Sequence, residues 1–389
     1  GDHLYLHCFP TRRSSDLLIT YGQSVDGKPL YAIALTAPGN DITSSKFKHF
    51  LFEAGTHSRE VVNPVALLTI VEMYLRDIEN PKVIPDTDVA SLLKSNVLHF
   101  VPLSNPDGFN LAKFGLSGLS NSAVKQAFKQ IGISPPRNRS NFPYLKSNAR
   151  GVDLNRNYDD RFFKLATQQW ISIWNQKHNQ YVSSRPSSAF FPGVKPFSEP
   201  ESAGLSLYLS KVPLSASISL HSRGEVIFWR YWMHDNNYNA VNYSLAKVLA
   251  KSTGYRLMDG DSEYSSSGYL GDWIANTFYV PHITLETTSY KIPYDTTSSK
   301  VYKDTVDLLL PVPAQVMRWS ASQPTPKYWL YVDNRFVRSY SSSIVALAYA
   351  KVYGGEIWSN YHRPIALSGS LGKMTRPDTP PAEIGRAHV

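Results

Sequence analysis

Side chains that could hold and use a metal ion stand at separate places in this 389-residue chain. His57-Ser58-Arg59-Glu60 puts an imidazole and a carboxylate three positions apart, where both can face one ion. His221 ends the apolar run SASISL and can supply a third donor. Two imidazoles and a carboxylate suit catalytic zinc, because they leave one coordination position for water. Such a water needs a base to take its proton as it attacks a carbonyl. Glu286 in HITLETTS is the candidate. Asp153-Leu154-Asn155-Arg156-Asn157 offers a guanidinium fork for a substrate carboxylate and an Asp able to orient a metal-bound His. Tyr264 lies in the Ser-rich stretch SEYSSSGY, where a phenol could move. Each also has a bland reading: a helix-capping Glu beside an exposed His, a satisfied strand-end imidazole, a surface acid, a solvated Arg, one Tyr among 24. What sets His57, Glu60, His221 and Glu286 apart is position, since all fall where an apolar strand ends.

The elements that must place them alternate. LITYGQSV, Asp26-Gly27 and KPLYAIALTA read as a hairpin. HFLFEAG is a buried strand running into THSRE, and Val65, Leu68, Val71, Leu75 and Ile78 then predict an amphipathic helix over 61–78. NVLHFVPL is a strand ending in the turn Asn105-Pro106-Asp107-Gly108. Ser198 is the expected N-cap of a further helix with acids in its first turn. ASISLHS is a strand, 243–252 a helix, and HITLET a strand with Ile283 and Leu285 on one face and Glu286 on the other. Such alternation predicts an α/β fold with a mixed, mostly parallel sheet flanked by helices.

Outside that unit, GDHLYLHCFPTRRSSDL (1–17) carries no helical or strand period and reads as a non-native leader, as does the ending EIGRAHV. The polar 319–327 stretch reads as a linker. YWLYVD, RFVRSY, a helix over 343–352 and GEIWSN predict a small ββαβ unit over 328–361, and 362–389 a tail. Cys8 is the only cysteine, which excludes a disulfide framework and thiolate metal sites. No apolar run is long enough to span a bilayer. A net charge of +9 suits anionic surroundings such as a cell wall, and so an extracytoplasmic or wall-associated location, yet no Lys/Arg cluster with interleaved aromatics marks a nucleic-acid groove. The expected state is a monomer with one zinc ion per chain.

The motifs THSRE, NPDG, GVDLNRN, FSEPE, SISLHS and HITLE, in this order, resemble the zinc carboxypeptidase A superfamily over roughly 18–318. The resemblance implies a mixed eight-stranded sheet, zinc held by His57, Glu60 and His221, and Glu286 as general base and acid. It also implies substrate binding by Asn155, Arg156 and Arg59, Tyr264 as a closing lid, and Asp153 behind His57. Where many members carry an arginine that polarises the scissile carbonyl, this chain aligns Lys146, with Arg139 and Arg150 nearby. An insert around 117–144, with SLHSRGEVIFW and SGYLGDWI, is similar to the bacterial subgroup that cleaves γ-D-glutamyl-diamino acid bonds of peptidoglycan stem peptides. In that subgroup the Asn/Arg pair grips a diaminopimelate carboxylate. Gly271 and Tyr269, near the implied pocket floor, offer no charged partner to a substrate side chain. The expected substrate is a peptide or muropeptide; the alternatives are a general carboxypeptidase and an inactive wall- or peptide-binding protein.

Overall fold

The computed structural model describes residues 16–81, 83–159, 183–231, 236–258, 268–289, 299–324, 328–332, 335–340, 346 and 356–359. Its main sheet has eight strands: β1 (Asp16–Gln23), β2 (Pro29–Leu35), β3 (Lys48–Ala54), β4 (Asn96–Val101), β5 (Leu214–Ser222), β6 (Val226–Phe228), β7 (Arg256–Met258) and β8 (His282–Thr287). They lie in the order β1-β2-β4-β3-β5-β8-β6-β7. The central run β4-β3-β5-β8 is parallel throughout, while β1-β2, β2-β4 and β6-β8 pair antiparallel. The mixed sheet expected from the alternation is therefore the one observed. Parallel strands send their carboxyl ends to one edge, and β3, β5 and β8 are the strands that end in the candidate residues.

Alternation along β3 explains the two-sided packing. Phe50 and Phe52 enter a core with Ile218, Leu220, Ile283 and Leu285, while Leu51 enters the opposite one with Leu205, Trp273 and Ile274. Successive strand side chains point to opposite faces, so a strand covered on both faces is apolar throughout. The first layer is closed by α1 (Val62–Glu79) and the short α2 (Val89–Leu93), and Ala66, Leu67, Ile70, Val71 and Tyr74 of α1 are buried. This face is rotated from the expected stripe. Leu68, Leu75 and Ile78 only flank it.

Several boundaries differ from expectation. Asn105-Pro106-Asp107-Gly108 is no free turn: it opens α3 (Pro106–Phe114), with Pro106 in the first turn and Asn105 Oδ1 accepting from Gly108 N at 3.0 Å. The insert holds α4 (Ser122–Ile131), anchored by Phe128 edge-to-face on Phe142. α5 (Pro200–Leu209) has Glu199, not Ser198, at its N-cap and no side-chain cap bond, because the Ser198 hydroxyl donates to the Glu199 side chain instead. The helix expected over 243–252 is longer, α6 (Asn236–Thr253). α7 (Leu270–Phe278) and α8 (Ser299–Leu309) precede α9 (Val312–Ser322). α9 takes up the start of the expected linker, since buried Trp319 donates to Ser244 Oγ at 3.0 Å. At the other end Asp16 and Leu17 pair with Leu35 and Ala34, so the leader expected over 1–17 yields its last two residues to β1. Backbone pairing to β2 compensates for the missing apolar period.

β9 (Tyr328–Val332), β10 (Arg335–Tyr340) and β11 (Glu356–Ser359) form a separate antiparallel sheet in the order β10-β9-β11. Of the helix expected over 343–352, only Ala346 lies among the described residues. No helix among the described residues is long and apolar enough to cross a membrane.

Candidate active site

β3 ends at Ala54 and α1 begins at Val62, so His57 and Glu60 occupy the corner at the carboxyl edge of the sheet. Next to β3, β5 carries His221 one residue before its end. Beyond it, β8 holds Glu286 directly opposite His221 in register, on the same face. Side chains at such paired positions stand about 5 Å apart. Sheet register alone thus brings together groups more than 200 positions apart in the chain.

His57 Nδ1 lies 2.9 Å from Glu60 Oε1, and His221 Nδ1 lies 3.0 Å from Glu60 Oε2 and 3.2 Å from His57 Nδ1. Asp153 Oδ1 stands 3.2 Å from the other ring nitrogen of His57. That contact assigns the His57 proton to Nε2, leaving Nδ1 as a bare lone pair aimed at a carboxylate and a second imidazole. Acceptors converging in this way, all buried, need a positive charge between them. The donor set fits zinc: imidazole nitrogens and a carboxylate, with the outer nitrogen of one ring fixed by an Asp. Among the described residues these three form the one cluster able to hold a metal ion.

The charges are strongly coupled. Burial pushes the Glu60 carboxyl up, but the two imidazoles outweigh burial and hold it well below the usual range. Burial pushes His221 down, yet the Glu60 charge reverses this and raises it. Asp153 is disfavoured by burial but held low by His57 and Arg156. Glu286 is raised by burial and by Glu60, against the pull of His221 and Lys146.

On the adjoining wall, Asp153 opens a single 3-10 turn, Leu154–Arg156, and accepts from Asn155 N at 3.2 Å. Asn155 Oδ1 accepts from Leu270 N at 3.1 Å, tying this turn to α7. The Arg156 guanidinium stands 4.3 Å above the Tyr269 ring, and its Nη1 donates to Asn155 O at 2.6 Å. Buried Nε atoms of Arg156 and Arg59 have no hydrogen-bond partner among the described residues. A planar donor group held on aromatic rings with a donor to spare is suited to a carboxylate.

Of Lys146, Arg139 and Arg150, the cations that could polarise the carbonyl, Lys146 is the one at the site. Burial lowers its pKa, against the pull of Asp153 and Glu60, and its ammonium sits 5.3 Å from the Phe190 ring. Arg150 instead turns to Glu199 at 3.7 Å, and Arg139 is exposed. Tyr264 lies outside the described residues. Gly271 does not open onto a bare floor: a Cβ there would meet His282 and the Tyr231 hydroxyl at 2.5 Å. Phe190 carries no sequence signal of a role. Its backbone N donates to Asp153 Oδ2 at 3.1 Å and its ring stands between Lys146 and Arg156. It lies 37 positions from Asp153 in an irregular stretch, where no periodicity signals a contact.

The zinc carboxypeptidase family model matches residues 10–308. The chain is 27% identical over 266 residues to the uncharacterized protein YqgT of Bacillus subtilis, covering 68% of this chain and 63% of that one. It is 23% identical over 263 residues to gamma-D-glutamyl-L-diamino acid endopeptidase 1 of Lysinibacillus sphaericus, covering 67% and 60%. The chain thus spans about three fifths of the length of these relatives. Among solved structures, thrombin activatable fibrinolysis inhibitor superposes with a TM-score of 0.57 at 19% identity, covering 80% of this chain and 70% of that one. Carboxypeptidase A of Helicoverpa armigera does so at 0.53 and 16%, covering 79% and 69%. These two likenesses bear on the fold, which they share. The family match covers both the sheet edge and every donor on it, and the chain accordingly belongs to the zinc carboxypeptidase family.

Proposed function

We propose that the protein is a zinc-dependent peptidase that hydrolyses the γ-D-glutamyl-meso-diaminopimelate amide of peptidoglycan stem peptides. The observation that carries the peptidase chemistry is the register of β5 and β8, which sets Glu286 beside the buried His57–Glu60–His221 donors. His57, Glu60 and His221 would hold the zinc, which would supply Lewis acidity for the hydrolysis. Glu286 takes the proton of the attacking water and then gives it to the departing amine. Lys146 stabilises charge on the carbonyl oxygen as it develops. Arg156, Asn155 and Arg59 fix the carboxylate of the diamino acid, and Asp153 keeps the His57 ring in its donor tautomer.

The choice of peptidoglycan rests on the likeness to the Lysinibacillus endopeptidase and on the basic net charge. This reading places the protein outside the cytoplasm as a monomer with one zinc per chain. Removal of C-terminal residues from ordinary peptides is the second reading, favoured by the same Arg156 fork. The two separate in one experiment: digestion of purified muropeptides beside a C-terminal peptide ladder, with mass analysis. Cleavage between glutamate and diaminopimelate without trimming of the ladder is expected. Trimming of the ladder with intact muropeptides makes the protein a carboxypeptidase.

A further inference from the structure

The insert and the segment before Phe190 enclose a groove of about 570 Å³. One wall is Ile133, Phe142 and Tyr144 from the insert; the other is Arg185, Pro186 and Ser187. This volume exceeds that of one side chain and lies in the range of small-ligand sites. Both walls are fixed. Phe142 is buried edge-to-face on Phe128, and its N donates to Leu111 O at 3.2 Å. The second wall is seated on Gly151, where a Cβ would come within 3.0 Å of Pro186 and Ser187. Lys146 N and Ser147 N donate to Ser188 O at 2.8 and 3.2 Å, joining the two walls beside Lys146. Lys146 O in turn accepts from Ser58 N at 3.4 Å, next to His57. From groove-lining Leu145 to that ligand is therefore roughly 10–13 Å of backbone.

The lining points to the occupant. It contains no carboxylate, so a cationic side chain would find no partner. Apolar faces alternate with the Arg185 guanidinium and the Ser134 and Ser188 hydroxyls, and Tyr144 stands half exposed at 52%. An apolar peptide side chain would leave those polar groups unused. A pyranose ring would use both, stacking its C–H face on Tyr144 while its hydroxyl and acetamido oxygens accept from Arg185 and the serines. Resting on the peptidoglycan reading above, we propose that this groove binds the amino sugar to which the stem peptide is attached, making the insert a sugar subsite near the zinc site. The spacing agrees: the short amide-linked segment between sugar and scissile bond spans a comparable length.

The test uses the full chain loaded with zinc and two substrates, one stem peptide with and without its N-acetylglucosaminyl-N-acetylmuramyl group. Binding of the free disaccharide is measured separately by saturation-transfer NMR. Wild type is expected to favour the sugar-linked substrate at least tenfold in kcat/KM and to bind the disaccharide. Tyr144→Ala and, independently, Arg185→Ala should bring that ratio near one and abolish the NMR signal. Equal kcat/KM for both substrates, or a disaccharide signal that survives both substitutions, overturns the sugar subsite. So does a preference for stem peptides extended by an apolar residue in place of the sugar. Disaccharide binding that depends on Tyr144, with no cleavage of either stem peptide, upholds the groove and removes the proposed bond specificity instead.

Discussion

At the scale of single residues, the proposed metal donors and the proposed base share one property that is visible in the sequence itself. His221 and Glu286 stand near the ends of apolar strands and His57 and Glu60 in the corner that follows one, and a parallel sheet gathers such ends at one edge. Glu286 carries the sharpest consequence. Glu286→Gln keeps the shape but removes the basic oxygen, so turnover should fall at least about a hundredfold while zinc content stays near wild type. Steady-state kinetics with metal analysis of the same preparation checks this, and near-normal turnover would assign the proton transfers elsewhere. Arg156 allows a second check. Its fork lies on Tyr269, with Nη1 already given to Asn155 O. A lysine there keeps the charge but loses both the planar stacking and the paired donors. Arg156→Lys should therefore lower kcat/KM on a carboxylate-bearing substrate by about tenfold to a hundredfold, and much less on the matching amide. Phe190 was not legible, because its contacts with Asp153, Lys146 and Arg156 arise from a loop without periodicity.

At the scale of elements, the strands were legible and the helix starts less so. β3 and β8 announce themselves by apolar runs, whereas the start of α5 depends on where the Ser198 hydroxyl turns, which sequence cannot show. That start has an electrostatic cost. Glu201, in the first turn of α5, accepts from Val25 N at 3.3 Å and from Asn148 at 3.2 Å, and Asn148 also donates to Glu199. Burial, with Asp107 and Glu199 adding to it, pushes Glu201 up to about 8. The folded state thus holds a proton that the unfolded chain releases near the ordinary glutamate value of 4.5. Stability from this group is fully present below that value and is lost as pH rises toward 8. Buried His49, His99 and His282, whose values are lowered, slope the opposite way below their ordinary 6.5. The glutamate effect is therefore best read between about pH 6.5 and 8. Denaturant midpoints should fall with pH across that window, where the raised His221 and Glu286 slope the same way, and Glu201→Gln should make the slope shallower without abolishing it. An unchanged slope in the variant would place the proton on another group.

At the scale of the whole molecule, the proposed zinc site joins β3, β5 and α1 through side chains that are costly to bury alone. His57 comes from the β3–α1 corner, His221 from β5, and Asp153 holds His57 from the wall that α7 closes. An ion bound by the folded chain and not by the unfolded one stabilises the fold by mass action, about 4 kcal/mol when zinc is a thousandfold above its dissociation constant. For a domain of this size that corresponds to a rise in Tm on the order of 5–10 °C. Dialysis against a chelator should lower Tm by that amount and abolish activity, and added zinc should restore both. The variants divide the effect. Glu286→Gln leaves all three donors and should keep the full zinc-dependent shift while remaining slow. His221→Ala leaves two donors, so its Tm should respond little to zinc at concentrations that saturate wild type. Thermal scans of the three proteins with and without zinc read the site without relying on any substrate. A zinc-dependent shift as large in His221→Ala as in wild type would mean that the ion is held elsewhere in the chain.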